Sequence, residues 1–332
     1  MNRLNRILVG ILALQLVLAV VVFWPRSASS GEGTESLFPG VEADQIQEIT
    51  LTDAQGTAIT LAKRDGSWVL PDADDYPADP ELVEPLVDGL AALNTDRLVT
   101  QTSASHERLQ VAEDDFQRRI DFQMADGSTH RVYLGSAPSY GVAHVRADGQ
   151  DEVYLTSDLS AQDAGVQASS WVDTSYFSVP QEEVVTVTVE NAQGTLEFQK
   201  EGESWTLVGL APDDTLNEGM ARSFVNRAIS ISLLRPLGRE ELDAYGMQEP
   251  NAVVTIRAQA EGEDATERTY TLQVGAQDPE DSGYVVKSSE SPYYVQVREF
   301  SVQDIVEKGY EDFIEVPPTP TPEELPEATP SP

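Results

Sequence analysis

The three histidines are the first residues to test for chemistry, because imidazole can bind zinc or move protons near neutral pH. They are His106, His130 and His144. His106-Glu107 begins like the helix of a zinc protease, but Gln110 stands where the second zinc-binding histidine must be. His130 and His144 fall in segments where apolar residues alternate with polar ones, which indicates strands. We therefore expect surface or edge histidines rather than metal ligands.

A loop rich in aspartate offers a second possible chemistry. Asp72, Asp74, Asp75 and Asp79 lie close together in the sequence, and calcium prefers several carboxylate oxygens on a turning loop. The loop lacks the glycine and the distal glutamate of a calcium-binding hand. We expect a solvated loop in which Asp79 caps a helix, with a calcium site as the alternative.

Nucleophilic and cofactor chemistry finds little support in the residues. The chain has no cysteine, which excludes thiolate catalysis, cysteine-bound metals and a lipid-modified cysteine. Ser204 follows Gly202 but lacks the final glycine of a nucleophile elbow, and no phosphate loop or dinucleotide fingerprint occurs. We predict no catalytic, cofactor-binding or metal-binding residue, and no cofactor. Trp68 and Trp205 could line a carbohydrate groove, but their matched positions favour core packing.

The matched positions come from a succession of elements that occurs twice. Residues 46–68 and 184–205 both contain an alternating segment, then Ala-Gln-Gly-Thr, then a second alternating segment and Ser-Trp. Alternation with a period of two around a glycine-containing turn predicts a β-hairpin, and the Ser-Trp segment predicts a third strand. A stripe of apolar residues at helical spacing follows in each copy, after the caps Asp79 and Asn217. Pro85 lies within the first stripe and predicts a bend or a late helix start.

Alternating segments return in the second half of each copy, and a short helix closes each one. The predicted strands cover residues 119–124, 130–134, 142–146 and 153–155 in the first copy, and 253–258, 269–274, 284–287 and 293–297 in the second. The predicted closing helices cover residues 160–164 and 301–308. The fold class is therefore α+β, with two tandem homologous modules, each a mainly antiparallel sheet packed with a helix.

The N-terminal segment predicts a membrane anchor. Residues 7–24 are apolar apart from Gln15 and would span about 27 Å as a helix, enough to cross a bilayer. Arg3 and Arg6 precede this segment and only Arg26 follows closely, so the positive-inside bias places the N-terminus in the cytoplasm and the rest outside. We expect a retained signal anchor. The alternative is a cleaved signal peptide, for which the small residues at 27–30 would supply the cleavage site.

Composition and the C-terminus complete the predicted organisation. The formal net charge is −36, with 57 acidic and 21 basic residues, which disfavours nucleic acid as a partner. The proline-rich end has too few apolar side chains to fold. The predicted organisation is a cytoplasmic stub (1–6), a transmembrane helix (7–24), a linker (25–40), a first module (41–160), a linker (161–182), a second module (183–310) and a disordered tail (311–332).

The elements shared by the two copies resemble the family known as domain of unknown function 4340. The resemblance covers residues 41–310 and includes the Ser-Trp strands, the glycine after a later strand, and residues 245–250, which read Tyr-Gly-Met-Gln-Glu-Pro where that family has Tyr-Gly-Leu-x-x-Pro. The first copy departs from this pattern, because residues 109–112 read Leu-Gln-Val-Ala. The resemblance implies tandem copies of a bacterial envelope domain, often paired with an ABC-type transport system, and it implies no known catalytic residue.

These features together predict a membrane-anchored, extracytoplasmic and non-enzymatic accessory or binding protein, single-pass in the cell membrane. The resemblance suggests a membrane transport complex as its partner. Two alternatives stay open. One is a protein that binds an envelope polymer such as carbohydrate or peptidoglycan, which would need exposed aromatic side chains. The other is a hydrolase that uses paired carboxylates.

Overall fold

Two large antiparallel sheets dominate the computed structural model, which describes residues 35–259 and 266–315. The first sheet has nine strands in the order β4-β3-β2-β1-β6-β7-β8-β9-β5. Their bounds are β1 Ile46–Asp53, β2 Ala58–Arg64, β3 Ser67–Leu70, β4 Tyr76–Pro77, β5 Leu98–Thr100, β6 Arg118–Met124, β7 Thr129–Leu134, β8 Ala143–Ala147 and β9 Val153–Thr156. The predicted α+β class with mainly antiparallel sheets is confirmed.

The second sheet has eight strands in the order β13-β12-β11-β16-β17-β18-β19-β15. A separate two-stranded sheet pairs β10 with β14. The bounds are β10 Ser175–Ser178, β11 Val184–Asn191, β12 Gly194–Glu201, β13 Ser204–Leu207, β14 Ser230–Ser232, β15 Arg235–Gly238, β16 Ala252–Gln259, β17 Glu267–Gln277, β18 Tyr284–Ser288 and β19 Tyr294–Val297.

The order of strands is the same in both sheets once β4 is left out. In each, a three-stranded hairpin unit pairs through its first strand with a four-stranded meander. A short strand, β5 or β15, then pairs with the last strand of the meander and forms the far edge. We call the part of the chain around the first sheet module 1 and the part around the second sheet module 2.

Side-chain alternation explains which face of each hairpin is buried. In β1, Ile49 and Leu51 are fully buried, and their counterparts Val187 and Val189 in β11 are equally buried. A one-residue slip would turn these residues to solvent, so the apolar pattern itself specifies the register.

Four helices occur in the described residues, and the two longest cover the predicted apolar stripes. They are α1 Pro80–Ala92, α2 His106–Leu109, α3 Glu218–Ala228 and α4 Glu299–Glu307. The Asp79 carboxylate accepts from the Glu81 N–H, and the Asn217 side chain accepts from the Met220 N–H, so both predicted caps are confirmed. Pro85 does not delay α1, which begins at Pro80.

One part of the predicted helix stripe is wrong. The predicted stripe comprises Leu82, Leu86, Leu90 and Leu93 with Val83 and Val87, and of these Leu82 is exposed. The buried face of α1 consists of Val83, Leu86, Val87 and Leu90.

The apolar core is continuous across both modules and includes segments predicted as linker or tail. Phe38, Trp171, Phe177 and Phe313 are all buried in it. Residues 35–40 and 311–315 therefore belong to the folded part of the chain. Phe313 is fully enclosed by aromatic rings of module 2, which corrects the predicted start of the tail at residue 311.

The predicted helix at residues 160–164 is wrong. These residues form a turn in which the Asp163 carboxylate accepts from both the N–H and the hydroxyl of Ser160. Such side-chain bonds to nearby backbone compete with helix formation. The other closing helix is confirmed as α4. The strands β4, β5, β10, β14 and β15 were not predicted, because two to four residues are too few to establish alternation.

No helix within residues 35–259 and 266–315 is long and apolar enough to cross a bilayer. The predicted transmembrane helix at residues 7–24 lies outside the described residues, as do residues 316–332 of the predicted tail.

Candidate functional site

The three histidines lie at separate places and each has a local partner. His106 opens α2, and its Nε2 lies 3.0 Å from the carbonyl oxygen of Asp151. His130 stacks on Phe122 with ring centroids 5.1 Å apart, and its ring also contacts Phe38. Among the described residues, no group of three or more histidines and carboxylates is placed to hold a metal ion.

His144 differs from the prediction of a surface or edge histidine, because it is buried in β8. Its Nδ1 lies 2.7 Å from the carbonyl oxygen of Ser136. A carbonyl oxygen can only accept, so Nδ1 carries the hydrogen and donates it. The loop of residues 102–117 covers this outer face of the sheet, where Tyr133 is almost completely buried. Sequence alternation could not reveal a cover that comes from a distant loop.

The aspartate-rich loop forms a joint between the two modules. The Asp74 carboxylate accepts from the backbone N–H of Arg239 at 2.7 Å. Asp74 and the following Asp75 are both in the left-handed region, with φ of 54° and 56°. That conformation costs roughly 1–2 kcal/mol for a residue other than glycine. Asp79 caps α1 and so is committed elsewhere. The loop is therefore a docking element, and Asp79 caps α1 as predicted.

Tyr293 lies at the centre of this joint. Its hydroxyl donates to the carbonyl oxygen of Asp75 at 3.0 Å and accepts from the guanidinium of Arg239 at 2.5 Å. The ring packs against Tyr76 with centroids 4.7 Å apart, and the Arg239 guanidinium lies 4.6 Å from the ring centroid of Tyr293. A second tyrosine, Tyr176, donates its hydroxyl to the carbonyl oxygen of Tyr293 at 2.7 Å. Aromatic rings and hydrogen bonds thus connect the loop, the segment between the modules and module 2.

The joint is partly dehydrated. Burial raises the pKa of Tyr76 to about 12, and the nearby Tyr176, Asp173 and Tyr293 add to this effect by unfavourable charge interactions. Tyr76 is therefore neutral across the physiological range. No acid–base function follows from this shift, because the neutral phenol is also the ordinary form of tyrosine at neutral pH.

We expect Tyr293→Phe to lower the free energy of unfolding by about 1–2 kcal/mol, because two hydrogen bonds across the joint are lost. Urea unfolding of the purified protein measures this change. Tyr140→Phe is the matched control, since Tyr140 lies fully exposed on a loop of module 1. Equal stability of the two variants would mean that the joint contributes nothing to the folded state.

The two predicted tryptophans are buried at equivalent strand positions, as expected. Trp68 in β3 and Trp205 in β13 both belong to the continuous core. An open cleft of about 790 Å³ runs beside Trp68 and is also lined by Lys63, Glu84 and Asp88. Only the edge of the Trp68 ring can reach this cleft, because the side chain is almost completely covered.

A second open cleft, of about 710 Å³, crosses polar residues on the first sheet. Its carboxylate Asp121 forms ion pairs with Arg119 at 2.9 Å and with Arg131 at 2.5 Å. Asp121 is thus the shared ion-pair partner of two arginines.

The two far edges of the sheets have different surroundings. In module 2, Pro236 and Gly238 of β15 are buried, because the turns Pro71–Ala73 and Ala168–Ser170 pack against this strand. In module 1, β5 occupies the same position in the sheet. Its Leu98 and Val99 are 48% and 39% exposed. The equivalent edge that the joint covers in module 2 is open in module 1.

The chain enters the described part directly beside this open edge. The Glu35 carbonyl oxygen accepts from the N–H of Thr95 at 2.9 Å and from its hydroxyl at 3.2 Å. Ser36 forms an antiparallel bridge with Asn94. These contacts fix the entry point three residues before β5. Sequence analysis missed the edge, although Leu98-Val99 between polar residues is a signal for an exposed apolar pair.

The fold and these contacts define an α+β protein of two large antiparallel sheets connected by a hydrogen-bonded joint. Residues 68–235 match the family model described as a domain of unknown function (DUF4340), and the chain belongs to that family. The match is one span that begins in β3 and ends in β15, so it contains Asp74, Tyr76 and Tyr176 of the joint but not Arg239 or Tyr293. Comparison with curated proteins gives no significant match, and neither does comparison with solved structures.

Proposed function

We propose that this protein is a membrane-anchored, extracytoplasmic accessory subunit of a membrane transport complex, without catalysis of its own. The observation that carries the proposal is the position of Glu35, which Thr95 holds beside the open, apolar edge strand β5. Only residues 25–34 separate the predicted transmembrane helix from Glu35, which accepts from Thr95. Ten extended residues reach at most about 35 Å. The open edge would then lie near the bilayer, where a membrane-embedded partner is accessible.

Matching contacts at the start of each module support a further part of the proposal, that the modules arose by duplication. The Thr95 N–H donates to Glu35, and the Leu233 N–H donates to Thr174, in both cases at 2.9 Å. Each pair lies between the entry segment of a module and the stretch that precedes its edge strand. With the shared strand order, these contacts favour tandem homologous units over chance similarity.

Deleting residues 1–30 tests the anchor and the partnership together. We expect a soluble, folded protein that no longer co-purifies with a transporter from native membranes, whereas the full chain does so at a fixed stoichiometry. Membrane fractionation and quantitative co-purification measure the outcome. Persistent membrane association of the truncated protein without any transporter would contradict the proposal. So would hydrolysis of an envelope polymer by this soluble protein, if one carboxylate substitution abolished it.

The cleft beside Trp68 favours a second candidate function, the binding of an envelope polymer. Lys63, Glu84 and Asp88 could supply hydrogen bonds to sugar hydroxyls there, and the edge of the Trp68 ring would contact the sugar. A shift of tryptophan fluorescence on addition of soluble peptidoglycan or glycan fragments would support this function. The shift should be lost in Glu84→Ala if the cleft is the site.

A further inference from the structure

The open edge at β5 has unsatisfied pairing capacity on its outer side. Within residues 35–259 and 266–315, β5 forms one end of the first sheet and pairs with β9 alone. The register between these strands skips Val99, which has no partner residue in β9. Residues 96–99 are all exposed. An edge strand with free backbone groups and apolar side chains is a template for an added strand.

The two equivalent edge strands differ in their protection. Natural edge strands are commonly blocked by short length, an irregular register, proline, lysine or a covering segment. The strand β15 has a proline, Pro236, and is covered by the turns Pro71–Ala73 and Ala168–Ser170. The strand β5 has its three-residue length and its irregular register with β9, but it contains neither proline nor lysine. β5 is therefore the more accessible of the two edges.

The surroundings of β5 are acidic. This argues against a second copy of this chain, which is itself strongly acidic, as the added strand. Glu35 and Glu152 lie close enough to Tyr154, in the neighbouring strand β9, to raise its pKa further after burial does so. Asp96 adds a third carboxylate, and Arg97 beside it in the sequence adds one positive charge. A copy of this strongly acidic chain would be repelled here, whereas a basic segment would be attracted.

We propose that β5 docks an extended, basic extracytoplasmic segment of the membrane-embedded partner, which pairs with it as an additional strand. This inference rests on the proposed function, and it names the surface and the chemistry through which the partnership works. The entry of the tether beside β5 restricts the partner segment to the region near the bilayer. Backbone pairing supplies affinity, Leu98 and Val99 contact apolar side chains of the added strand, and the carboxylates select its positive charge.

A lysine at the edge tests the docking directly. Val99→Lys in the full chain, in native membranes, should reduce co-purification of the transporter by about tenfold or more, because the new charge opposes a basic segment and blocks strand addition. Val208→Lys is the matched control, since Val208 is 50% exposed at the end of β13 in module 2. The control should retain the transporter, and both variants should unfold at the wild-type temperature.

A cross-linking arm uses the absence of cysteine from the chain. Val99→Cys should form adducts with the co-purifying transporter subunit through a short cysteine-to-amine reagent, and Val208→Cys should not. If wild type and Val99→Lys retain the transporter equally, the docking inference is wrong and the proposed function survives. If wild type retains no transporter, both fail. If Val99→Lys instead dissociates an oligomer of this chain, a second copy is the occupant and the inference is overturned.

Discussion

Gly275→Ala should lower the free energy of unfolding by at least about 3 kcal/mol, at the upper end of what overpacking costs. A Cβ atom at this position would lie 2.1 Å from the carbonyl oxygen of Tyr245 and 2.9 Å from Cε of Met247. The methionine tip can move aside. The carbonyl cannot do so easily, because Tyr245 ends a turn in which Gly246 takes the left-handed conformation. Urea unfolding monitored by tryptophan fluorescence measures the loss.

The corresponding substitution in module 1, Gly135→Ala, should lower the free energy of unfolding by a similar amount. A Cβ atom on Gly135 would lie 2.1 Å from the carbonyl oxygen of Leu109, which also accepts from the Ser136 N–H. Gly219→Ala is the control, because its Cβ would meet only the Asn217 side chain at 3.5 Å, in helix α3. We expect that control to change stability by less than about 1 kcal/mol. Wild-type stability in Gly275→Ala would show that the turn does not pack on β17 as described.

The second large effect is expected at Phe313. Phe313→Ala should cost about 3–5 kcal/mol, since the ring is fully buried and its loss leaves a cavity. The rings of Phe198 and Phe224 pack edge-on against it, with centroids 5.1 Å and 5.0 Å away. Thermal and urea unfolding should both register the loss.

Phe300→Ala provides the comparison for Phe313. Phe300 is 66% exposed on α4, so its truncation should change stability by no more than about 0.5 kcal/mol. If both phenylalanine variants were equally stable, residues 311–315 would not be part of the module 2 core. The sequence-based boundary of the tail at residue 311 would then stand.

Periodicity predicted the long elements well because each buries one face. The hairpins, the Ser-Trp strands and the caps Asp79 and Asn217 follow from local rules that tertiary packing reinforces here. The short edge strands escaped prediction because their pairing depends on distant partners. The segment β5, for example, is a strand only because it pairs with β9. The burial of His144 has the same origin, since a loop far away in the sequence covers it.

Residues 109–112 differ in sequence from residues 245–248, but the backbone has a similar geometry at both places. Gln110 takes the left-handed conformation, with φ of 57°, where Gly246 has φ of 65°. The carbonyl oxygens of Leu109 and Tyr245 lie at the same distance, 2.1 Å, from where a Cβ atom would stand on Gly135 and Gly275. The backbone geometry is therefore retained although the glycine is not. The strain at Gln110 is a cost that module 1 tolerates.

The sequence analysis missed the docking role of the aspartate-rich loop. It expected a solvated loop in which Asp79 caps a helix, and the cap is confirmed. The partner of Asp74 is the N–H of Arg239, which lies in the other module. No local pattern could have connected these residues.

Each long helix can complete the hydrogen bonds at its N-terminus only after the rest of its module has been synthesised. The Asp79 N–H donates to the carbonyl oxygen of Trp171, and the Asn217 N–H donates to that of Phe313, each at 2.8 Å. Each helix start is thus closed by a residue that follows its entire module. A chain delivered N-terminus first at roughly 5–20 residues per second would leave α1 without its final contact for on the order of ten seconds. During that interval the apolar side chains that pack against Trp171 are exposed. A chaperone that binds unfolded chains would therefore bind there.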